Sequence, residues 1–588
     1  MNEKITPILF WEESMFTRSV IFSLLFSGAA APVAAQTVFV DQGDSWSPSL
    51  RAAFYTQDQG SRIMPLAWME ALAQPDGTPF LADGLARYGY LPMPDRDDGA
   101  TLPVGFTTNE GMGGTAIGMT CAACHTRQIE VRGTAYRIDG GPAIVDFQSF
   151  LADLDAAMQA VLDDDATFDA FADKVAGGTG DRAGLRAELE TWSLRFHTLI
   201  DGSLPDPGWG PVRLDAVSMI FNRLTGLDLG RPEDAYLIPE NVMLADAPTR
   251  YPFLWNAARQ DMTQWPGFAH NGNDLLGLAR NLGEVYGVFG EFHPIKKPGL
   301  LFNRDYVTNN SANWGGLKAL EEWIWDIGAP RWPWGLDARL VEQGGAIFAR
   351  PTDQGGCVEC HGKRQGAFRS IFHATWATPI LPVGTDEREC EILTRTARTG
   401  VLEGAKVPLS SNALGAEAPA FDLLGASVIG AIIQHAVGFR VTGGLEATGA
   451  AAALQKDDKF MAEFDDLRGA FPRSGDGSAL ETAAEPCAYE ARVLDGIWAA
   501  APYLHNGSVP TLRELLTPPD ERVADFTPGP AYDLEAVGMA VEQTAFDHVI
   551  ETTGCDDLSS GNSRCGHDYG TALSDDDKRA LLEYLKSI

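Results

Sequence analysis

Two short cysteine motifs carry the most specific chemistry in the sequence. Each has the pattern C-x-x-C-H, and their members are Cys121, Cys124, His125, Cys357, Cys360 and His361. Two thiols on one helical turn can form thioether bonds to the two vinyl groups of a haem, and the following histidine then reaches the iron. The spacing therefore predicts two covalently bound haem c groups, one at each motif.

Other chemistries of paired cysteines fit the sequence less well. A structural zinc site needs two C-x-x-C pairs close enough to share one ion, and these two motifs lie far apart in the chain. A redox-active C-x-x-C of the thioredoxin type lies in a βαβ pattern, which surrounds neither motif. The chain has no Gly-Lys-Ser/Thr phosphate loop and no G-x-S-x-G elbow, so kinase and hydrolase functions have no residues to support them.

Four further cysteines predict disulfides. An even remainder is typical of disulfide pairing in an exported protein. Cys555 and Cys565 bracket a polar loop, and we expect them to pair locally. Cys390 and Cys487 then pair by elimination.

A second axial ligand would decide what each haem does. An iron with one protein ligand is open to dioxygen or peroxide, whereas an iron with two strong ligands tends to transfer electrons. Eight histidines lie outside the motifs: His197, His270, His293, His373, His435, His505, His548 and His567. His505 is the best candidate because apolar and aromatic residues precede it and the turn-forming pair Asn506-Gly507 follows it. His270 is the next candidate, in an aromatic loop after Trp265.

The elements around the second motif predict a cytochrome c domain at residues 336–588. An amphipathic stretch at residues 336–350 precedes the motif. The chain ends in a helix that Ser574 can cap, with Asp577 at the capping-box position. A helix before the haem motif and a helix at the C-terminus are typical of a cytochrome c fold.

The rest of the chain is assigned by exclusion. Residues 36–328 are expected to form a first haem domain, with helical candidates at residues 146–163 and 183–200. Residues 329–335 form a plausible linker, although its two tryptophans could equally pack between the haems. Few segments alternate with a period of two, so the predicted class is mainly α. The expected architecture is two cytochrome c-type domains, each with one covalent haem and with long loop insertions.

The N-terminus reads as an export signal. Arg18 provides a positive region, Val20 to Phe26 form a short apolar core, and small residues allow cleavage after Ala35. Residues 1–35 are therefore predicted to be a signal peptide, and the mature protein to be periplasmic or secreted. No other segment is long and apolar enough for a transmembrane helix, so we expect no stable membrane insertion.

The charge of the chain limits its partners. Its 588 residues include 80 Asp and Glu against 45 Lys and Arg, which gives a formal net charge of −35. Phosphate binding needs clustered Lys and Arg, so no nucleic acid partner is expected. An acidic surface suits a basic protein partner through electrostatic steering, although it can also serve solubility alone.

Longer segments resemble the di-haem cytochrome c peroxidase-like superfamily, and most closely its branch that includes the bacterial rubber oxygenases. The similar segments run along most of the mature chain: Gly118–His125, Gly208–Pro211, Asp215–Ala216, Phe221–Arg223, Tyr251–Trp255, Gln264–Trp265, Ala279–Glu284, the second haem motif and Gly496–Leu516. Together they are more specific than C-x-x-C-H, which any c-type cytochrome shares.

The resemblance implies a division of labour between two facing cytochrome c domains. It implies that the haem on His125 is the reaction site. It also implies that the haem on His361 has His505 as its distal ligand and relays electrons. In peroxidase relatives, a small donor cytochrome or copper protein supplies these electrons. In rubber oxygenase relatives, the N-terminal haem binds dioxygen and cleaves a polyisoprene double bond.

Trp265 falls where the rubber oxygenase branch carries a functionally sensitive tryptophan near the reactive haem. Relatives tend to read Gln-Trp-Asn-Gly at this point, whereas this chain reads Gln-Trp-Pro-Gly-Phe-Ala-His. His270 could therefore bind or overhang the first iron. Trp265 could carry electrons between haems, line a substrate pocket or simply pack in the core.

Three functions follow from these residues. The first is a peroxidase that reduces hydrogen peroxide at the His125 haem, with Glu284 as the acid–base group. Glu284 could instead form an ion pair with Arg280 on the same helix. The second is a dioxygenase of a hydrophobic substrate, with phenylalanines lining a channel. The third is a non-catalytic electron-transfer cytochrome with both irons six-coordinate.

We expect the redox enzyme, with peroxidase-type chemistry preferred. Its expected partners are a small electron-donor protein and a small-molecule oxidant. The expected cofactors are two covalently bound haem c groups. The sequence leaves a calcium ion between the domains open.

Overall fold

The computed structural model describes residues 37–94, 102–111, 114–176, 180–271, 274–370, 373–407, 413–440 and 487–588. The expected signal peptide, residues 1–35, lies outside this part of the chain. Residues Thr37–Ile588 belong to one unit. The predicted boundary at residues 329–335 stays a prediction. No helix among the described residues has the length and apolarity to cross a membrane.

Fifteen α-helical segments lie within the described residues, several of them a single turn. They are α1 (Pro48–Thr56), α2 (Leu66–Ala71), α3 (Cys121–Cys124), α4 (Phe147–Asp163), α5 (Asp165–Ala176), α6 (Arg182–Ser203), α7 (Ala216–Phe221), α8 (Asp274–Gly287), α9 (Trp314–Ile324), α10 (Ala338–Phe348), α11 (Val358–His361), α12 (Arg388–Ile392), α13 (Ala420–Arg440), α14 (Leu512–Leu515) and α15 (Asp575–Ser587).

The long predicted helices form where their apolar residues recur at helical spacing. The candidates at residues 146–163 and 183–200 are confirmed as α4 and α6. Each begins at an aspartate, Asp146 or Asp181, whose carboxylate accepts a hydrogen bond from a first-turn backbone N–H. The final helix is also confirmed, because Ser574 Oγ accepts from the backbone N–H of Asp577 at 3.2 Å.

The expectation of a mainly α class is wrong. The described residues form ten small sheets, of which two have three strands: β1 (Thr37–Phe39), β6 (Thr134–Asp139) and β5 (Thr126–Val131) in one, and β2 (Met64–Pro65), β4 (Gly114–Met119) and β3 (Phe106–Gly111) in the other. β1 is parallel to β6, and the other neighbours in these two sheets are antiparallel.

The remaining eight sheets are two-stranded antiparallel ladders. They pair β7 (Arg213–Leu214) with β8 (Thr249–Arg250), β9 (Met262–Thr263) with β10 (Ala269–His270), β11 (Ile295–Lys296) with β12 (Arg304–Asp305), β13 (Gln365–Ser370) with β14 (His373–Trp376), β15 (Ile380–Leu381) with β18 (Tyr489–Glu490), β16 (Thr396–Arg398) with β17 (Glu417–Pro419), β19 (Asp525–Phe526) with β22 (Ile550–Glu551) and β20 (Tyr532–Asp533) with β21 (Gly538–Met539).

The shortness of these strands explains why the sequence did not predict them. Most have only two or three residues, too few to show a period of two. β5 is longer, but its Arg127 is fully buried and donates hydrogen bonds to the carbonyl oxygens of Pro142 and Ala501. A buried charged residue therefore interrupts the alternation of apolar and polar residues.

Two helices frame the second motif as predicted. α10 precedes it and crosses α15 at Gly344, where an added Cβ would lie 2.0 Å from the carbonyl oxygen of Ala580. Only glycine permits this close approach of the two backbones. Leu581, Leu582 and Leu585 of α15 are buried and face the interior.

The predicted linker contributes to the core. Trp332 and Trp334 pack edge-on against Trp498, with ring centres 5.2 Å and 6.0 Å away. Tyr532 packs against the same rings and donates a hydrogen bond to the carbonyl oxygen of Trp498 at 2.7 Å. This aromatic cluster holds residues 329–335 against the segment that contains His505.

Candidate haem sites

The second motif opens onto a cavity with apolar walls. Cys357 caps α11, and its carbonyl oxygen accepts the backbone N–H of His361 at 2.9 Å, so both thiols and the imidazole lie on one turn. We call this space the C-terminal cavity. Its apolar lining comprises Leu381, Val383, Leu494, Ile497, Leu512, Leu515, Leu516, Leu581 and Leu585.

A hydrogen bond to a backbone carbonyl group orients the proximal histidine of this cavity. His361 Nδ1 donates a hydrogen bond to the carbonyl oxygen of Arg492 at 2.7 Å, which leaves Nε2 as the lone-pair nitrogen. Burial lowers the pKa of His361, so the imidazole is held neutral. A neutral, oriented imidazole is the form that binds iron.

His567 lies opposite His361. The two ring centres are 6.2 Å apart with an interplanar angle of 47°. Burial, followed by the charges of His361 and Arg522, lowers the pKa of His567 to about 3. Its Nδ1 is buried without a hydrogen-bond partner among the described residues. Arg522 fixes the segment by donating to the carbonyl oxygens of Arg564, Gly566 and His567 at 2.6–3.0 Å.

His505 lines the same cavity in a different setting. Its ring stacks on Tyr489, with centres 3.8 Å apart and planes 17° apart. Its carbonyl oxygen accepts the backbone N–H of Arg250 at 2.9 Å. Burial, with a smaller effect of Arg250, lowers its pKa to about 3. The assignment of His505 as the distal ligand stays a prediction, and His567 is a second candidate for that position.

The residues of the C-terminal cavity fit a haem c. Two thiols and an imidazole share one turn, apolar side chains line the space, and a second neutral imidazole faces the first. An iron between two imidazole nitrogens, at about 2 Å from each, puts the ring centres about 6 Å apart. The spacing of His361 and His567 matches that arrangement.

The first motif has strands rather than helices on both sides. α3 lies between β4 and β5, and a Cβ on Gly105 would lie 2.0 Å from the backbone nitrogen of Ala123. His125 Nδ1 donates to the carbonyl oxygen of Pro252 at 2.9 Å, and burial lowers its pKa to about 4. The ring of Tyr251 packs beside it, with centres 6.4 Å apart. No second histidine ring packs against His125 in the part of the chain that the structure describes.

A carboxyl group lies near the first pair of thiols. Burial raises the pKa of Cys121 and of Cys124 to about 12, and the charge of Glu284 adds to both shifts. Desolvation also raises the pKa of Glu284, despite the opposing charge of Arg280 and a 2.9 Å hydrogen bond from Gln264. This motif therefore has the donor set of a covalent haem c, with a buried carboxyl group of raised pKa near its thiols.

Glu284 lines a second cavity, which we call the Glu284 cavity. Gln264, His270 and Arg280 contribute its polar wall. Its apolar lining comes from α7, α8, α13 and the loop before α8: Val217, Ile220, Phe221, Phe268, Leu276, Phe421, Leu424 and Val428. An apolar space with one carboxyl group can hold a small apolar molecule and protonate a polar atom beside it.

Arg280 does not pair with Glu284. It donates instead to Glu321 at 2.8 Å and to Asn271 at 2.7 Å. The partner of Glu284 is the amide of Gln264. His270 is exposed at the rim of the Glu284 cavity, where desolvation lowers its pKa. The structure thus brings Gln264, His270 and Glu284 together.

Gln264 and Trp265 face different cavities. Gln264 has φ +64° and directs its amide to Glu284. Trp265 is buried and lines the C-terminal cavity, and its Nε1–H donates to the carbonyl oxygen of Arg250 at 3.2 Å. The guanidinium of Arg250 lies 4.6 Å from the centre of the Trp265 ring. This dipeptide therefore separates the two cavities and contacts both.

Both predicted disulfides are confirmed. Cys390 pairs with Cys487, and Cys555 pairs with Cys565. The first packs against Trp265 and Tyr489, beside the C-terminal cavity. The second closes a loop that ends two residues before His567. Cys121, Cys124, Cys357 and Cys360 remain as free thiols.

Comparison with known proteins supports a cytochrome. A family described as RoxA-like, cytochrome c-like matches residues 488–527. The uncharacterised protein y4iJ of Sinorhizobium fredii is 30% identical over 610 residues, which cover 92% of each chain. A second uncharacterised protein of that organism, y4iM, is 38% identical over 122 residues, 17% of this chain and 27% of its own. The cytochrome c-like match implies covalent haem c.

The expectation of two cytochrome c-type domains is wrong. The family match covers one cytochrome c-like segment, and it lies in the C-terminal half. Strands flank the first motif where a cytochrome c fold has an amphipathic helix. The described residues also contain no group of three or more His, Cys, Asp and Glu side chains placed to share a metal ion.

Sequence reasoning did not single out His567 or Arg492. His567 lies in a polar loop with none of the apolar residues that favoured His505. The sequence offers one weak signal, a histidine two residues after a disulfide cysteine, where the bridge can fix its backbone. Arg492 has no sequence signal, because its side chain is fixed by hydrogen bonds to Phe253 and Gln260, which lie far away in the chain.

Proposed function

We propose that this chain, which belongs to the family of the Sinorhizobium protein y4iJ, is an exported di-haem redox enzyme. Its RoxA-like, cytochrome c-like segment supports the binding of haem. Its preferred activity is peroxidase-type: hydrogen peroxide is reduced at the first motif, and electrons arrive through the second. The observation that carries this proposal is the unequal surroundings of the two proximal histidines. His361 faces His567, whereas His125 has a carboxyl group, Glu284, beside its cysteines.

The two sites suit different tasks. A bound haem supplies one-electron redox chemistry and, where an axial position is open, a binding position for a small oxidant. At the second motif, His361 and His567 would hold a bound haem from both sides, and a haem held by two imidazoles would serve to relay electrons. We favour His567 over His505 there because its ring centre lies 6.2 Å from that of His361.

At the first motif the protein residues supply proton transfer. Burial raises the pKa of Glu284, so its carboxyl group holds a proton more strongly than an exposed glutamate does and can deliver it to an oxygen atom of the oxidant. Gln264 orients that carboxyl group through its amide N–H. The walls of the Glu284 cavity are mainly apolar, and a surrounding of low polarity strengthens both interactions.

The electrons would come from a small donor cytochrome or copper protein. The net charge of −35 supports a basic donor, because opposite charges raise the rate of encounter. Periplasmic or secreted localisation stays part of this proposal.

A second candidate is a dioxygenase of a hydrophobic substrate. The observation that favours it is the lining of the Glu284 cavity, where Phe268 and Phe421 lie edge-to-face with ring centres 5.5 Å apart. Such a space can bind an apolar hydrocarbon segment. The RoxA-like match is consistent with this candidate.

Carbon monoxide binding to the fully reduced protein tests the proposal. We expect two haems per chain and one bound carbon monoxide per chain, at the first motif. Peroxide turnover with a reduced donor then supports the peroxidase, and dioxygen-dependent cleavage of an isoprenoid oligomer supports the second candidate. No carbon monoxide in either the fully or the half-reduced protein would overturn both, and would leave electron transfer alone.

A further inference from the structure

The two proximal histidines are joined by a continuous path of three hydrogen bonds. His125 Nδ1 donates to the carbonyl oxygen of Pro252 at 2.9 Å. Arg492 Nη2 donates to the carbonyl oxygen of the next residue, Phe253, at 2.9 Å. His361 Nδ1 donates to the carbonyl oxygen of Arg492 at 2.7 Å. Covalent bonds of Pro252–Phe253 and of Arg492 complete the path.

Arg492 is held firmly in this position. It is 5% exposed, and its guanidinium lies 4.0 Å from the centre of the Phe253 ring. Nε and Nη2 both donate to Gln260 Oε1, at 3.0 Å and 2.7 Å. Glu490 is the neighbouring carboxylate, with 3.5 Å between Arg492 Nε and Glu490 Oε1. A planar guanidinium can satisfy these partners at once, which an ammonium group cannot.

Arg492 contributes to the orientation of the proximal histidine at both haem motifs. Its backbone orients the proximal histidine of the second motif, and its side chain binds the peptide that orients the proximal histidine of the first. With haem bound at both motifs, the buried positive charge of Arg492 would also stabilise the reduced state of each iron, because the ferrous form carries one positive charge fewer.

We propose that Arg492 couples the two haems, as the hydrogen-bonded bridge through which an electron passes from the His361 site to the His125 site. The inference rests on the proposed function, in that both motifs must carry haem. The iron on the His361 side is oxidised from ferrous to ferric, and the iron on the His125 side is reduced from ferric to ferrous. No bond forms or breaks, and Arg492 keeps all its protons. The electron comes from the donor protein or, in the experiment, from a pulse of chemical reductant.

Two substitutions separate the charge of Arg492 from its hydrogen bonds. Arg492→Met removes both and keeps an unbranched side chain, while Arg492→Lys keeps the charge and loses the forked contact with Phe253 and Gln260. Both leave the backbone carbonyl that binds His361. Arg259→Met is the matched control, because Arg259 is an exposed arginine that lies over Trp325 and Trp376 and makes none of the three hydrogen bonds of the path.

The measurements are the midpoint potential of each haem by spectroelectrochemical titration and the rate of inter-haem electron transfer after pulsed reduction. We expect Arg492→Met to lower both potentials and to slow inter-haem transfer by about tenfold or more, since a gap replaces a hydrogen bond. Arg492→Lys should keep both potentials near the wild-type values and still slow transfer. Arg259→Met should change neither quantity.

Two results would overturn the inference. One is a wild-type transfer rate in Arg492→Met, and the other is a transfer rate that falls equally in Arg259→Met. Failure of the proposed function is recognised separately on the wild type, which would then contain fewer than two haems per chain in a pyridine haemochrome assay or bind no carbon monoxide when reduced. If Arg492→Met does not fold, Arg492→Lys alone decides, because a wild-type rate in that variant contradicts the bridge.

Discussion

The imidazole rings of His361 and His567 face each other across the C-terminal cavity, with 6.2 Å between their centres. Two different constraints produce this spacing. A hydrogen bond to Arg492 fixes His361, whereas Arg522 and the Cys555–Cys565 disulfide hold the backbone around His567. Neither histidine depends on the other for its position, and the two rings would keep this spacing when a haem binds between them.

Replacing His567 should open the second haem. We expect His567→Ala to convert that haem from low spin to high spin, because one of its two axial ligands is lost. The measurement is the visible absorption and electron paramagnetic resonance spectrum of the ferric protein. The variant should also bind a second carbon monoxide per chain when fully reduced.

His505→Ala is the matched control, because His505 lines the same cavity. We expect it to keep the low-spin spectrum and to affect stability through the lost stack on Tyr489. A high-spin haem in His505→Ala together with an unchanged His567→Ala would restore His505 as the distal ligand.

The features of the site that depend on local spacing could be predicted from the sequence. The C-x-x-C-H motifs, the helices that frame the second motif and the local disulfide all follow from residues close together in the chain. The Gln264–Glu284 contact and the exposure of His270 depend on how a turn with φ +64° at Gln264 meets α8. Such tertiary arrangements leave no periodic signal, and the ten small sheets escaped prediction for the same reason.

Replacing Glu284 should impair the first site selectively. We expect Glu284→Gln to reduce the rate of peroxide reduction by roughly 10²–10⁴-fold, because an amide cannot transfer the proton. Stopped-flow kinetics with hydrogen peroxide measure this rate. The potential of the second haem should not change, since Glu284 lines the other cavity.

Glu322→Gln is a suitable control for Glu284. Glu322 pairs with Lys318 on the exposed face of α9, with 3.8 Å between charged atoms. Its loss should leave peroxide turnover at the wild-type rate. Equal losses in both variants would show that Glu284 has no role in proton transfer.

Removal of the first disulfide should mainly lower the stability of the protein, whereas removal of the second should mainly change the second haem site. The Cys390–Cys487 bridge spans 97 residues and packs against Trp265, so the double alanine variant should lose about 2–4 kcal/mol of unfolding free energy. The Cys555–Cys565 bridge spans only 10 residues, so its removal should cost less.

Removal of Cys555–Cys565 should instead loosen His567 and produce a partly high-spin second haem. Denaturant unfolding and ferric absorption spectra, taken on both double variants, separate the two effects. A fully low-spin spectrum without the Cys555–Cys565 bridge would mean that Arg522 alone positions His567.

Asp215 should make the protein less stable as the pH rises. It caps α7, accepting from the backbone N–H groups of Ser218 and Ala247, both at 2.9 Å, and burial raises its pKa to about 6. The unfolded value is about 3.9, so the folded state retains the proton more strongly. The stabilising effect is therefore complete below pH 4 and is lost as the pH rises through 6, by roughly 2–3 kcal/mol. Asp215→Asn should remove this contribution to the pH dependence of the unfolding free energy between pH 4 and 7, as measured by urea unfolding. If the unfolding free energies of the wild type and the variant change with pH in parallel, Asp215 is not the group responsible.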